Sequence, residues 1–243
     1  MWVQTVGIAA VIESDRFASN RVHAEGDPVS ACCSTYGNIA GAQFDEKIAK
    51  RDLDSYHKKG PGPTARLLRD MLVDASAVDG TLLDVGSGIG GLSFDLLERG
   101  VDRAIAVDAS AAYLAAAAQE ATRRDRLRAV QFKHGDFLDL APTIPPATIV
   151  TMDRVICCYP AFESLLKEAL GHVERYFAYS YPRDLWYVRA AIAGENAIRR
   201  LKRNPFRAFV HPVHRMTQTI EGAGFRLAAH RQTWQWSADV WVR

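Results

Sequence analysis

The chain is poor in the features that staple or anchor a protein. Only four cysteines occur in 243 residues, as the adjacent pairs Cys32-Cys33 and Cys157-Cys158. Neighbouring cysteines rarely bridge each other, and neither pair has the C-x-x-C spacing of a zinc or redox site. A disulfide scaffold is therefore excluded, no metal ligand set is expected, and free thiols in a reducing cytoplasm are the simplest account. No apolar run is long and uncharged enough to cross a bilayer. The stretch 1–12 is mildly apolar, but it has no basic leader and is followed by Glu13, Asp15 and Arg16, so it does not read as a signal peptide. Charge of one sign is lacking too, with 30 Lys and Arg against 28 Asp and Glu. That balance gives no dedicated nucleic-acid surface. The one basic cluster, Arg199, Arg200, Lys202, Arg203 and Arg207, reads as a solvated helix face. The expectation is a cytoplasmic protein with neither nucleic acid nor membrane as partner and with its oligomeric state open.

What is present is an ordinary globular composition, 48% hydrophobic and 24% charged, enough for a substantial core. Residues 1–35 show little periodicity and read as a leader. Helical spacing covers Tyr36–Tyr56, then Lys59-Gly60-Pro61-Gly62-Pro63 breaks the chain, and Leu67, Leu68, Met71 and Leu72 mark one face of a second helix. From residue 80 onward the sequence alternates. Strands are expected at Thr81–Val85, Ala104–Asp108, Val130–His134, Thr148–Met152 and Tyr176–Tyr181. Helices are expected at Gly90–Glu98, Ser110–Arg124 with Ser110 as N-cap, Phe162–His172 and Leu185–Arg203. After a short helix ending at Glu221, Phe225–Arg231 and Trp236–Val242 are joined by too short a turn to be anything but antiparallel. The fold class is thus α/β: a Rossmann-like seven-stranded sheet, mostly parallel, with a C-terminal antiparallel hairpin, helices on both faces and a helical lead-in over 36–79.

The most informative segment is Asp84-Val85-Gly86-Ser87-Gly88-Ile89-Gly90-Gly91, which follows a strand and opens a helix. Glycines there permit a sharp turn and close approach of the backbone to a ligand. Asp108 ends the next strand, where a carboxylate can accept from both hydroxyls of a ribose. Nicotinamide enzymes use the same device, but a dinucleotide brings a pyrophosphate to the helix N-terminus, where Asp84 would repel it. S-adenosylmethionine instead carries an ammonium and a sulfonium, which acids attract. Gly135-Asp136-Phe137 follows the third strand and supplies an acceptor for an adenine amine beside an apolar ring.

In this order the residues resemble the class I S-adenosylmethionine-dependent methyltransferases, over about 80–243. The resemblance implies S-adenosylmethionine as cofactor, with Asp84, Gly86, Ser87 and Gly88 at its methionine end, Asp108 and Ala109 at the ribose, and Asp136 and Phe137 at the adenine. Asp153 would follow on the fourth strand, and Tyr56 of the lead-in would cover the methionine end. The stretch Met152–Pro160 and the lead-in Leu53–Pro61 are similar to an uncharacterised bacterial small-molecule group, with a weaker likeness to the magnesium-protoporphyrin O-methyltransferase type whose substrate is not carried over. Asp153-Arg154-Val155-Ile156 stands where amine-methylating members carry a D/N/S-P-P-Y/F motif, and Cys157 and Cys158 do not match a cytosine C5 nucleophile. Both departures favour a small-molecule acceptor. Asp153, Tyr159 and His214 are the candidate general bases, with His134 and His211 behind them. Arg154 and Tyr159 are candidates for holding the acceptor, and Trp186 and Tyr187 for lining its pocket. The alternatives are a nicotinamide-dependent oxidoreductase and a non-catalytic accessory protein that binds S-adenosylmethionine.

Overall fold

The structure is a computed structural model and describes residues 37–243. The leader expected over 1–35 and the pair Cys32-Cys33 lie outside the described residues. After a helical segment at 37–43 the elements are α1 (Glu46–Lys59), α2 (Pro63–Asp74), β1 (Thr81–Val85), α3 (Gly91–Leu97), β2 (Arg103–Asp108), α4 (Ala111–Arg123) and β3 (Val130–His134). There follow α5 (Phe137–Leu140), β4 (Ala147–Met152), α6 (Phe162–Gly171), β5 (Val173–Pro182), α7 (Trp186–Leu201), α8 (Val213–Gly222), β6 (Arg226–Gln232) and β7 (Trp236–Val242).

The strands form one seven-stranded sheet in the order β3-β2-β1-β4-β5-β7-β6. β1 to β5 pair in parallel, and β7 enters antiparallel between β5 and β6. The expected hairpin is therefore present, with its second strand inserted into the sheet and its first at the edge. The edge strand β6 is largely solvent-exposed and carries Arg226 and Arg231, charges that discourage edge-to-edge pairing.

Alternation along the strands divides the core in two. Leu83, Val85, Ile105, Val107, Val150 and Met152 point to the face covered by α6 and α8, whereas Leu82, Ala104, Ala106 and Ile149 point to the face covered by α2, α3 and α4. Asp84, Asp108 and Thr151 share the parity of the second set. Strand period alone thus delivers two acids and a hydroxyl to one face at the carboxyl ends of three adjacent strands. The strand order reverses between β1 and β4, the place where open α/β sheets leave a crevice for ligands.

The lead-in differs from its expectation in one respect. The single helix expected over 36–56 is broken at Phe44. Asp45 is extended (φ −76°, ψ 178°), and its carboxylate accepts from the Ile48 amide at 2.9 Å, starting α1 afresh. Such a cap contributes about 1 kcal/mol. Phe44 turns inward to stack on Tyr113 (5.3 Å) and meet Phe206 edge-on (5.5 Å). Ser110 caps α4 as expected, accepting from the Tyr113 amide at 3.1 Å.

Candidate active site at the carboxyl ends of β1, β2 and β4

The turn after β1 is held by its backbone. The Gly86 and Ser87 amides donate to the Val107 carbonyl at 2.8 and 3.1 Å, tying the turn to β2. Gly86 and Gly88 have φ of 68° and 56°, the left-handed region that favours glycine. Their surroundings differ. A Cβ on Gly86 would lie 2.3 Å from a Val155 methyl, so this glycine lets the turn pack on the loop after β4. A Cβ on Gly88 would meet nothing within 4 Å among the described residues. Gly88 therefore faces open space, while the buried Ser87 Oγ beside it has no hydrogen-bond partner among the described residues. An open backbone cradle beside an unsatisfied hydroxyl fits a polar ligand held close to the chain.

Three acids stand at the carboxyl ends of β1, β2 and β3. Asp84 is buried and accepts from Ser93 Oγ (2.6 Å) and Thr151 Oγ1 (2.7 Å). Burial pushes its pKa up to about 6 against the pull of those two hydroxyls, and the nearby Asp153 and Asp108 charges raise it further. Asp108 accepts from the Gly88 and Ser110 amides, each at 2.8 Å, and burial pushes it up to about 6 as well. Asp136 accepts from the Leu138 amide (3.1 Å) and from the Tyr159 hydroxyl at 3.0 and 2.9 Å to its two oxygens, and burial raises its pKa. Buried carboxylates under like-charge repulsion, as Asp84 is from Asp153 and Asp108, favour a cationic guest. The segment 37–43 lies across the same place. A Cβ on Gly37 would sit 3.2 Å from Asp136 Cβ, and one on Gly41 would sit 2.7 Å from the Ala109 carbonyl oxygen.

On the acceptor side, Asp153 is half-buried and accepts from Ser180 Oγ at 2.6 Å, while the Arg154 amide donates to that same oxygen at 2.8 Å. Arg154 is exposed and has φ of 59°, a strained backbone for a side chain this large. Cys157 and Cys158 follow as free thiols, their sulfurs 3.6 Å apart. The neighbouring sulfur and burial push the Cys157 thiol up, so it is inert as a nucleophile.

The other expected site residues have surroundings of their own. Tyr56 packs beside the end of the glycine turn. Its ring lies against Gly91, its hydroxyl accepts from Arg124 (2.9 Å) and faces Asp95 (3.4 Å), and it borders a polar cleft of about 310 Å³ between α1, α3 and α4. Phe137 points into the core and packs edge-on to His172, away from the acids. Tyr159 is buried with its hydroxyl committed to Asp136, which makes it a holding group rather than a base. His214 is exposed on α8, which packs against α6, and no hydrogen bond joins it to Asp153. Trp186 is 80% exposed, and the Tyr187 hydroxyl donates to the Trp234 carbonyl. His134 contacts the Ala109 carbonyl at 3.2 Å.

Four further residues complete the site, of which His211 was expected as a candidate base. Ser93 and Thr151 satisfy Asp84, Ser180 holds Asp153 and the Arg154 backbone, and His211 donates from Nε2 to the Ile156 and Tyr159 carbonyls, both at 3.0 Å. Burial lowers the His211 pKa, so the ring is a neutral clamp on the 156–159 loop. Of these, Thr151 was legible in principle, since it shares strand parity with Ile149 and stands opposite Asp84 in the ladder.

Residues 82–176, from β1 into β5, match the family model of a methyltransferase domain. Fold and match together define the class: the chain carries a methyltransferase domain, the enzyme class whose cofactor is S-adenosylmethionine. This sets the nicotinamide alternative aside. Among solved structures the chain is similar to magnesium protoporphyrin IX methyltransferase from Synechocystis PCC 6803 with bound SAH, at 19% identity and a TM-score of 0.67, covering 86% of this chain and 99% of that one. The same protein with bound SAM gives 17% identity and a TM-score of 0.62, covering 91% and 100%. An O-methyltransferase family protein from Burkholderia thailandensis gives 16% and 0.66, covering 83% of this chain and 61% of that one. At these identities the likeness is one of fold. A sequence search of curated proteins finds no match. No helix among the described residues is long and apolar enough to cross a membrane.

Proposed function

We propose that this protein transfers the methyl group of S-adenosylmethionine to a small-molecule acceptor. The observation that carries the reading is the open cradle at Gly88, bordered by the unpartnered Ser87 Oγ and by buried Asp84 and Asp108. Asp108 has lone pairs left for a ribose diol after accepting two amides, Ala109 lies beside it, and Asp136 offers an acceptor for the adenine amine. Asp84, Gly86, Ser87 and Gly88 hold the methionine end, and the Asp84 and Asp153 charges favour its cationic groups. Residues 80–243 form the catalytic domain and 36–79 the lead-in that covers it. When bound, the cofactor supplies an activated methyl group on a sulfonium, so the chain's own task is to align an acceptor with it and exclude water.

Asp153 is the group placed to receive a proton from a hydroxyl or thiol acceptor, and the exposed Arg154 guanidinium suits an anionic substituent on that acceptor. The absence of a D-P-P-Y-type motif at 153–156 supports a small molecule over a nucleic-acid base, as do neighbours described as acting on magnesium protoporphyrin IX or as O-methyltransferases. Calorimetry of the full chain with S-adenosylmethionine, S-adenosylhomocysteine and NAD tests the cofactor, and binding of NAD alone would sink the reading. A screen of hydroxylated, carboxylated and amine acceptors, followed by release of S-adenosylhomocysteine, then tests the acceptor class. Turnover only on RNA or DNA would overturn it.

A further inference from the structure

The adjacent thiols of the loop after β4 take no part in the proposed methyl transfer, and their geometry suits another chemistry. Cys157 is buried and Cys158 partly exposed, with their sulfurs 3.6 Å apart. Both sulfurs stand over the Arg154 carbonyl, at 3.3 and 3.5 Å, where each S–H can donate. That carbonyl belongs to the residue with the left-handed backbone, φ 59°. Residues Ile156–Cys158 form a single 3-10 turn, and the turn is gripped from outside. The Phe209 amide donates to the Cys157 carbonyl at 2.7 Å, and His211 holds the Ile156 and Tyr159 carbonyls. The thiols thus sit where the acceptor-side loop is tied both to Arg154 and to the segment 206–211.

The two sulfurs are unlike. The hydrogen bond from Cys157, with the Arg154 and Arg199 charges, lowers the Cys158 thiol against the opposing effect of burial. Cys158 is therefore both the more reactive sulfur and the more accessible one. A hydroperoxide is a small, uncharged oxidant that such a thiolate can attack. The Cys158 sulfur takes the nearer peroxide oxygen, the O–O bond breaks, and the far oxygen leaves as an alcohol, or as water from hydrogen peroxide. Cys158 is left as a sulfenic acid. Until that point Cys157 is inert, but the hydrogen bond and charge of Cys158 that helped to hold its proton are now gone. The Cys157 sulfur attacks the Cys158 sulfur, the S–O bond breaks, and hydroxide departs as water with the Cys157 proton. Two thiols have lost two protons and two electrons, and the peroxide has taken them up. We infer that Cys157 and Cys158 form a peroxide-sensitive dithiol whose closure to a disulfide within the chain loosens the acceptor-side loop. The closed pair has no S–H to give the Arg154 carbonyl. Drawing the sulfurs from 3.6 Å to about 2.05 Å also reshapes the turn under the Phe209 amide. Adjacent Cα atoms lie about 3.8 Å apart, short of the roughly 4.4 to 6.8 Å of ordinary bridges. The same strain that makes such a bridge rare makes it easily reduced, which suits a reversible device and not a staple.

The test uses the full chain with Cys32→Ser and Cys33→Ser, so that only this pair can react. Stoichiometric hydrogen peroxide should lower the mass by about 2 Da and protect both thiols from alkylation after denaturation. No disulfide-linked dimer should appear on a non-reducing gel, and dithiothreitol should restore both thiols. Amide hydrogen exchange of the oxidised protein should rise by about tenfold or more over 155–160 and at Phe209, and stay unchanged over β2. Adding Cys157→Ser should stop the reaction at a Cys158 sulfenic acid that dimedone captures, whereas Cys158→Ser should leave Cys157 unoxidised. Two thiols that persist under peroxide overturn the inference, as does a Cys158 sulfinic acid in place of the bridge, or a bridge between chains. A bridge that forms without any change in exchange overturns it too, because the loop has then not been loosened. That this loop serves an acceptor rests on the proposed function. The thiol chemistry does not, and none of these measurements needs an acceptor or the cofactor, so the two readings fail separately.

Discussion

The two sides of the crevice are finished to different degrees. On the side of β1, β2 and β3, Asp84, Asp108 and Asp136 are buried, and each accepts at least two hydrogen bonds from fixed donors. On the side of β4, Asp153 is half-buried with one described partner oxygen, and Arg154 projects from a strained backbone into solvent. A cofactor common to many enzymes can be met by a preformed site, whereas an acceptor peculiar to one enzyme is met by side chains that still have freedom to adjust. Preorganisation removes the ordering cost from binding, so substitutions on the first side should weaken cofactor affinity far more than those on the second.

The sharpest way to break that comparison is Gly88→Val. The added Cβ meets no described atom within 4 Å, while a β-branched residue at φ 56° strains the turn, so a lower melting temperature together with cofactor affinity lowered by about a thousandfold or more is expected in calorimetry. Asp108→Ala comes next, since it removes the diol acceptor and leaves two amides without partners, and should lower affinity by about a hundredfold. The pH dependence is smaller and has a defined sign. Asp84 and Asp108 are raised to about 6 in the folded protein, so the native state holds these protons more tightly than the unfolded chain does. Ligand-free stability should therefore fall as pH rises from 4 towards 7, by roughly 3 kcal/mol per group at most. A cationic ligand favours the ionised acids, so affinity should instead rise about tenfold between pH 5 and 7 and then level off. Last, Asp153→Asn removes the outer of the two charges near the cofactor's cationic groups and should lower cofactor affinity by only about threefold to fivefold while slowing turnover on any acceptor found. A large loss of cofactor affinity in that variant would erase the distinction between the two sides.

Much of the first side was legible because it is written by strand period and punctuation. Alternation placed Asp84 and Asp108 on one face, and Gly86, Gly88, Asp108 and Ser110 fall where short strands stop. The second side was not legible, because its geometry comes from contacts far apart in sequence. The bond from Tyr159 to Asp136, the clamp of His211 on the 156–159 loop and the grip of Ser180 on Asp153 join residues on different elements, and no local pattern predicts them. Tyr56 and Phe137 show how tertiary contacts decide where an aromatic side chain goes. Phe137 follows Asp136 in sequence, and its ring is buried in the core, whereas the Tyr56 hydroxyl is engaged by Arg124 and Asp95. The break at Phe44 was missed because the period of α1 continues across it in the sequence, and only the Asp45 cap shows that the helix starts again.

The segment 37–43 has a consequence for rates. Gly37 lies on Asp136 and Gly41 on the Ala109 carbonyl, and Gln43 Oε1 accepts from Asn204 Nδ2 at 2.7 Å. With the nucleoside seated as proposed, this segment is its door as well as its wall. Arrival and departure of the nucleoside then pass through the same opening, so loosening this segment should change both rates together. Cutting the latch with Asn204→Ala should quicken both entry and exit while leaving the equilibrium between them nearly where it was.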